Sequence, residues 1–276
     1  MIALERVRTV DAVHEKYRGL LKKASDKELL KSYRDYLLDN TKKVSFTESF
    51  WTKAKPQLKK ESNGKCAYCE ANTKVVAHGD VEHYRPKSVY WWLAYTYDNY
   101  LYACQICNQT YKSDNFPIGS LALVVPNVQP HHIDTDIDAL VGKISPDPID
   151  TALDLKLTAY IKAHKKEKPF LINPYIDNPA KYFAYEADDV LEEVKIVPTK
   201  PLYKNYVEAS EKYYGINRIE LKNFRYSVYS LFRVLKMSHG ALPEGAIKKE
   251  TKKQIDNMLL SKYLFSGMNR YFDKKI

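Results

Sequence analysis

The first part of the chain alternates hydrophobic and polar residues at the spacing of amphipathic helices. Ser25 and Glu28 form a capping-box pattern, which predicts that a helix begins there. The apolar positions that follow recur at helical spacing: Leu29, Leu30, Tyr33, Tyr36 and Leu37. Ser45 and Glu48 open a second candidate helix in the same way, and Pro56 is expected to kink it or to limit its length. The apolar side of this second helix is formed by Phe50, Trp51, Ala54 and Leu58.

The last third of the chain again shows helical periodicity. Asn217 is a candidate N-cap, with Glu220 three residues later. The helix that follows has an apolar stripe, which predicts a buried face: Leu221, Phe224, Val228, Leu231, Phe232 and Leu235. An adjacent stripe, with Tyr229 among its members, is basic: Arg218, Lys222, Arg225, Arg233 and Lys236. The basic stripe is compatible with phosphate contacts, with a solvated face or with a partner interface.

Between these helical parts, residues 66–120 have a different character. Two short runs are β-like, Val75–Ala77 leading toward His83 and Tyr100–Ala103 further on. A short polar helix is expected from about Asn108. This order of elements predicts two strands that are followed by a helix in the middle of the chain.

These patterns together predict an α+β protein that is mostly helical. We expect an N-terminal helical region over 1–62 and a small central domain over 63–120. The remaining region, 121–276, begins with a stretch rich in Pro and Asp at 126–150, which predicts a loop, and continues as helices.

Charge is distributed unevenly along the 276 residues, which carry a formal net charge of +10. The excess of basic residues is concentrated at the two ends, over 1–65 and 201–276, whereas the centre is slightly acidic. An excess of this size favours an anionic partner, nucleic acid first and a membrane surface second. No apolar run is long enough to span a membrane, and charged residues near the start argue against a signal peptide. We therefore expect a cytoplasmic protein.

The four cysteines form two C-x-x-C pairs, Cys66 with Cys69 and Cys104 with Cys107. In a chain without an export signal, this spacing favours a reduced metal site over disulfides. Four thiolates can surround zinc tetrahedrally, and such a closed site is structural and does not take part in catalysis. Four unrelated thiols and a redox-active C-x-x-C pair are the alternatives.

A group of polar residues lies between and beside the cysteine pairs. Glu82 and Asn108 supply oxygen ligands of the kind that a hard divalent cation prefers. The adjacent imidazole of His83 has an unperturbed pKa that suits proton abstraction from water near neutral pH. Asn99 would orient the loop that follows His83. A base and a cation are the two parts that phosphodiester hydrolysis requires.

The segment DVEHYRPKS at 80–88, followed by DNYLYACQICN at 98–108, resembles the ββα-metal fold of HNH endonucleases. In this resemblance His83 matches the catalytic histidine and Asn99 the middle asparagine. Asn108 matches the final metal-ligand position, and Glu82 replaces the more usual aspartate before the histidine. The flanking C-x-x-C pairs match the zinc-stapled branch of that superfamily.

Four segments narrow the resemblance to HNH proteins of bacterial anti-phage defence, in particular the HNH nuclease subunit of Septu-type systems. They are KCAYCE at 65–70, VEHYRPKS at 81–88, ACQICNQTYKSDNFP at 103–117 and LINPYIDNP at 171–179. This resemblance implies cleavage of nucleic acid, DNA first, with Mg²⁺ or Mn²⁺ as the catalytic ion. It also implies a partner ATPase of the ABC/SMC type.

Three basic residues near the motif are candidate substrate contacts. Arg85 and Lys87 follow the catalytic histidine and are positioned to hold phosphates, although ordinary surface placement is an alternative. Lys112 follows Asn108 one residue later than the N-x-x-K spacing of many HNH proteins, so its role is open. The competing interpretation of the whole segment is a zinc-stabilised nucleic-acid-binding or adaptor module without catalytic activity.

Overall fold

The computed structural model describes residues 1–73, 79–149 and 155–276. Within these ranges about half of the chain is helical, and two small sheets contain two antiparallel strands each. This confirms the predicted α+β class. No helix in the described ranges combines the length and the apolar character that crossing a membrane requires.

The first helix, α1, spans Gly19–Leu38 and follows a 3₁₀ turn at Glu15–Tyr17. Ser25 lies inside α1, where its hydroxyl donates to the Leu21 carbonyl at 2.9 Å. The prediction that a helix begins at Ser25 is therefore wrong. The first turn of α1, before Ser25, contains Lys22, whose buried ammonium pairs with Asp26 at 2.5 Å and stabilises the helix there.

The second predicted helix is two helices, α2 at Glu48–Thr52 and α3 at Lys55–Glu61. Thr47 occupies the N-cap position of α2, not Ser45 as the pattern indicated. Pro56 lies in the first turn of α3, where its missing N–H removes no helical hydrogen bond. It therefore separates two short helices and does not kink one long helix.

The centre of the chain is a β-hairpin followed by a helical segment. Strand β1, Gly79–His83, pairs antiparallel with β2, Tyr100–Cys104. A π-helical segment, Ile106–Lys112, follows β2 directly. The predicted strand at 100–103 and the predicted polar helix are therefore present, while the run predicted as a strand at 75–77 lies outside the described residues.

The elements that follow the π-helical segment are helices and one further β-hairpin. They are α4 at Asp134–Asp138, α5 at Leu157–Glu167, α6 at Pro179–Tyr182, β3 at Phe183–Asp188, β4 at Glu193–Pro198, a 3₁₀ turn at Pro201–Tyr203, α7 at Lys204–Tyr214, α8 at Ile219–Ala241, α9 at Ala246–Leu259 and α10 at Ser266–Phe272. Sequence analysis missed the β3–β4 hairpin, and it missed α4 inside the predicted loop.

Helix α8 begins and packs differently from its prediction. Asn217 does not cap it, because its side-chain amide forms two 2.9 Å hydrogen bonds to the backbone of Ile196 in β4. The buried face of α8 includes Leu221 and Phe232, as predicted, but Leu231 is 50% exposed. Arg225, predicted on the basic stripe, is buried instead, and its guanidinium donates to the Ile216 carbonyl.

The rest of the basic stripe is largely neutralised by acidic residues. Lys222 pairs with Glu193 at 2.5 Å, and Lys236 pairs with Asp273 at 2.7 Å. Arg233 likewise pairs with an aspartate at the β3–β4 turn. These ion pairs occupy the cations within the fold and make the stripe a poor candidate for a phosphate-binding surface.

Two hydrophobic clusters support the central hairpin from opposite sides. One contains the four cysteines, Leu101 and Ala103 from β2, and apolar residues of the β3–β4 hairpin and of α7 to α10. The other contains Tyr100 and Tyr102 of β2 together with apolar residues from α1, α2, α3 and the 90–97 segment. The hairpin is thus held between the N-terminal and C-terminal helices, and the predicted domain boundaries stay a prediction.

Candidate active site and metal centre

The four cysteines come together as their spacing predicts. Cys66 and Cys69 lie on the turn after α3, Cys104 ends β2, and Cys107 lies in the π-helical segment. All four are buried and free of disulfides, and their sulfur atoms lie within 4.8 Å of one another. Tetrahedral zinc with Zn–S bonds of about 2.3 Å places its ligands roughly 3.8 Å apart, so the cluster fits a metal such as zinc.

Neighbouring groups support the charge that such a cluster carries. The backbone N–H of Cys107 donates to the Cys104 sulfur at 3.4 Å. The guanidinium of Arg218, at the start of α8, donates to the Cys107 sulfur at 3.6 Å. A cation at this position offsets the negative charge of thiolate ligands, and the site joins α8 to the central hairpin.

Glu82 and His83 occupy the last two positions of β1, opposite Leu101 and Tyr100. Both side chains are buried. The ring of His83 is held by a 3.0 Å hydrogen bond between its Nε2 and the carbonyl of Ala94. Since a carbonyl only accepts, Nε2 carries the hydrogen and Nδ1 carries the lone pair.

Burial also sets the protonation of His83. It lowers the pKa of the imidazole to about 3, and the hydrogen bond to Ala94 only partly opposes this effect. The nearby cations Lys87 and Lys112 lower the pKa further. The ring is therefore neutral at physiological pH, and its second nitrogen carries a lone pair.

Glu82 is held through one of its two carboxylate oxygens. Lys112 pairs with Oε1 at 2.6 Å, and the Tyr68 hydroxyl donates to the same oxygen at 3.5 Å. Among the described residues Oε2 accepts no hydrogen bond. Burial raises the pKa of Glu82, and the ammonium of Lys112 opposes the rise. Tyr68 lies between Cys66 and Cys69, so its hydrogen bond to Glu82 links the cysteine cluster to the Glu82–His83 site.

Asn99 fastens the loop that follows the histidine. Its side-chain oxygen accepts from the backbone N–H of Arg85 at 2.8 Å. Its amide nitrogen donates to the carbonyls of Arg85 and Leu93 at 2.9 and 3.3 Å. These bonds hold the two ends of the loop from Arg85 to Leu93. The residue after this loop, Ala94, is the hydrogen-bond partner of His83. Whether Asn99 contributes to catalysis stays a prediction.

A cleft of about 290 Å³ opens beside β1. Glu82, His83 and Asn108 all line it, and Lys87 and Trp51 form part of its wall. Asn108 belongs to the π-helical segment, which follows β2 directly. Glu82, His83 and Asn108 therefore line one cavity, and their roles there stay a prediction.

Two predicted substrate contacts are located elsewhere. Arg85 is fully buried, and its Nε donates to Glu167 Oε2 at 2.9 Å, while Nη2 bonds His164 Nδ1 at 3.0 Å. Lys112 is also fully buried, and it holds Glu82 and the His83 carbonyl. Neither residue is among those that line the cleft, and a contact of either residue with phosphate stays a prediction. Lys87 remains in the cleft.

Sequence analysis missed two residues of this region. Trp51 was placed on an apolar helix face, but its ring centroid lies 5.0 Å from that of His83. Glu167 had no motif, yet its Oε1 accepts from the Tyr90 hydroxyl at 2.6 Å while Oε2 holds Arg85. No spacing signal connects these residues to the motif, because the fold alone brings them together.

Fold and site together define an α+β protein in which the turn after α3, a hairpin and a helical segment carry a four-cysteine centre beside a polar cleft. Over 102 residues the chain is 36% identical to Septu protein PtuB of Bacillus mycoides (strain KBAB4). The similarity covers 29% of this chain and 35% of that protein, so the chain matches about a third of its relative's length. No family model matches the chain, and no solved structure matches it.

Proposed function

We propose that this protein is a metal-dependent endonuclease of the HNH type, which hydrolyses phosphodiester bonds of nucleic acid, with DNA as the favoured substrate. One observation carries the proposal: Glu82, His83 and Asn108 line a single cleft that also contains the cation of Lys87. A hairpin followed by a helical segment and a four-cysteine cluster gives further support.

His83 is the general base in this proposal. Its Nδ1 lone pair would accept one proton of a water molecule as the water oxygen attacks phosphorus. The bond from phosphorus to the leaving sugar oxygen breaks in the same step, and that oxygen takes its proton from solvent water. The hydrogen bond to Ala94 fixes the tautomer, and Asn99 fixes the loop that carries Ala94. Lys87 is the side chain that would pair with a phosphate oxygen at the cleft.

Glu82 and Asn108 would hold the catalytic ion, Mg²⁺ or Mn²⁺. Oε2 of Glu82, which accepts no hydrogen bond from the residues that the structure describes, and the amide oxygen of Asn108 are ligands that these ions prefer. When bound, such an ion stabilises negative charge on the phosphate and on the leaving oxygen. The second oxygen of Glu82 is kept in place by Lys112 and Tyr68, which orients the carboxylate.

The biological setting that we propose is anti-phage defence. The similarity to Septu protein PtuB supports this role. We further propose that the nuclease works beside an ATPase of the ABC/SMC type, as the resemblance to Septu-type HNH subunits implies. The structural metal in the cysteine cluster is proposed to be zinc.

One observation favours the second candidate, a nucleic-acid-binding or adaptor module without catalysis. The carboxylate of Glu82 already has a cationic partner in Lys112, at 2.6 Å, so its charge is compensated without a metal ion. In that case binding to nucleic acid would weaken with salt but would not depend on His83 or on added Mg²⁺.

A nicking assay on plasmid and oligonucleotide DNA, with and without added Mg²⁺ or Mn²⁺, separates the two candidates. The active-site variant is His83→Ala, and the matched control is His131→Ala, which removes an exposed histidine. We expect cleavage by wild type and by the control, and loss of cleavage in His83→Ala at unchanged zinc content. Equal cleavage by His83→Ala would exclude the proposed mechanism.

A further inference from the structure

Trp51 differs from the other tryptophans of this chain. Trp91 and Trp92 are buried, with 6% and 4% exposure, whereas Trp51 is half-buried and lines the cleft. Its ring stands edge-on to His83, at an interplanar angle of 80°. The ammonium of Lys87 lies over the indole ring, 5.5 Å from its centroid, so a base can stack on this part of the ring only when the flexible Lys87 side chain turns toward a phosphate. The indole packs against the hydrophobic cluster that contains Tyr100 and Tyr102, and its exposed part faces the polar cleft.

We propose that Trp51 and Lys87 form a subsite for an unpaired nucleobase and its phosphate, next to the position where the backbone is cut. This inference rests on the proposed function and adds the substrate class, which is single-stranded DNA or an unpaired stretch of DNA. Aromatic side chains bind bases by stacking on their faces, and a neighbouring cation pairs with the phosphate of the same nucleotide.

The geometry favours an unpaired base over a base within a duplex. In a duplex each base is stacked between its neighbours and offers a protein only its edge in the groove. A base can therefore cover the indole of Trp51 only where it is unpaired or turned out of the stack. The cleft, at about 290 Å³, is at the small end of ligand pockets and suits one nucleotide-sized group.

Charge along the same stretch of chain is consistent with a single strand leaving the cleft. Residues 42–60, which include α2 and most of α3, contain six lysines and one acidic residue. Lys53 and Lys60 are exposed there. Lys55 is paired with Asp80 at 3.8 Å. The exposed lysines can contact the phosphates of a single strand, because such electrostatic contacts require no particular sequence.

Intrinsic fluorescence tests the subsite without relying on cleavage. The probe is a short oligothymidylate, compared with a duplex of the same length, in buffer without added Mg²⁺ or Mn²⁺. We expect the single strand to quench wild-type emission more than the duplex does. Trp51→Phe retains Trp91 and Trp92 as internal controls, and in this variant the quenching should disappear. Trp51→Ala should bind the single strand about tenfold more weakly than wild type and the duplex equally well.

Several outcomes would overturn the inference. Quenching that persists in Trp51→Phe, or that is equally strong with the duplex, would mean that no unpaired base stacks on Trp51. A lower maximal cleavage rate in Trp51→Ala with unchanged affinity would make Trp51 a positioning residue for His83 and not a binding residue. Stronger Trp51-dependent quenching by an oligouridylate of equal length would overturn the assignment to DNA.

The two proposals can fail separately. Quenching that depends on Trp51, in a protein that cleaves nothing with either metal ion, would support the subsite and remove the nuclease. Cleavage that depends on His83, with no change in affinity or quenching on replacing Trp51, would support the nuclease and remove the subsite.

Discussion

Replacing His83 with asparagine should change how the stability of the protein depends on pH. Burial holds the imidazole pKa at about 3 in the folded chain, whereas in the unfolded chain it returns to its ordinary value near 6.5. Between these values the unfolded chain binds a proton that the folded chain does not. Acidification therefore lowers the free energy of unfolding, and the loss begins as the pH falls through the unfolded value.

The size of the effect follows from this difference. At about pH 5 the unfolded imidazole is almost fully protonated and the folded imidazole is almost fully neutral, which costs about 2 kcal/mol relative to about pH 7. His164 is also buried, and burial lowers its pKa in the same direction. Because His164 is present in both proteins, its contribution cancels when wild type and His83→Asn are compared.

Urea unfolding followed by circular dichroism at these two pH values measures the difference. We expect wild type to lose about 2 kcal/mol more than His83→Asn on acidification, with His131→Asn as the matched control for removing an exposed histidine. Equal losses of unfolding free energy in wild type and His83→Asn would show that burial does not hold the His83 ring neutral. The neutral ring is the form that the proposed mechanism needs.

Two further predictions concern the structural parts of the site. Cys66→Ser removes one of four buried sulfur ligands, so we expect loss of bound zinc by elemental analysis and a lower melting temperature, and full zinc content in the variant would contradict the assignment. Glu167→Gln leaves the buried guanidinium of Arg85 without its counter-ion, which should cost about 3–5 kcal/mol in urea unfolding. The exposed pair of Glu208 offers the control, since Glu208→Gln should change stability by less than about 1 kcal/mol; equal effects would show that burial does not matter.

Features encoded by short spacings could be predicted from the sequence. The two C-x-x-C pairs predicted one four-cysteine cluster, and the four sulfur atoms do come together. The adjacency of Glu82 and His83, followed by Asn108 after the second strand, placed three side chains near one another, and all three line one cleft. The Glu82, His83 and Asn108 signal depends on residues within one hairpin and the segment after it, where chain connectivity limits the separation. The cysteine signal depends on the C-x-x-C spacing itself, since Cys66 and Cys69 precede the hairpin.

Features that depend on long-range packing could not be predicted. Arg85 was predicted to bind phosphate because it follows the motif histidine. Its actual partner, Glu167, lies 82 positions later in the chain, where the local pattern cannot reveal it. Asn217 was predicted to cap a helix because it precedes a helical pattern. Its actual partner, Ile196, lies on a hairpin that the pattern did not predict. In both cases a polar side chain satisfies a distant buried group, and local sequence carries no sign of that choice.

Helix boundaries illustrate the same limit on a smaller scale. Ser25 and Glu28 form a valid capping pattern, but α1 continues through them because the Lys22–Asp26 pair is buried against the 145 region. Tertiary contact outweighs a local preference of about 1 kcal/mol. Trp51 was similarly assigned to a buried helix face, since periodicity cannot distinguish a core position from the wall of a cleft.

Cleavage measured as a function of metal concentration separates the two roles proposed for the cleft, which are metal binding by Glu82 and proton abstraction by His83. Cleavage rates of wild type, Glu82→Gln and His83→Ala would be measured across a titration with Mn²⁺. We expect Glu82→Gln to need more Mn²⁺ for half-maximal cleavage, and His83→Ala to lose maximal rate without a change in the metal requirement. Cleavage that is independent of Mn²⁺ and Mg²⁺, or that neither substitution affects, would contradict a hydrolytic site built from these residues.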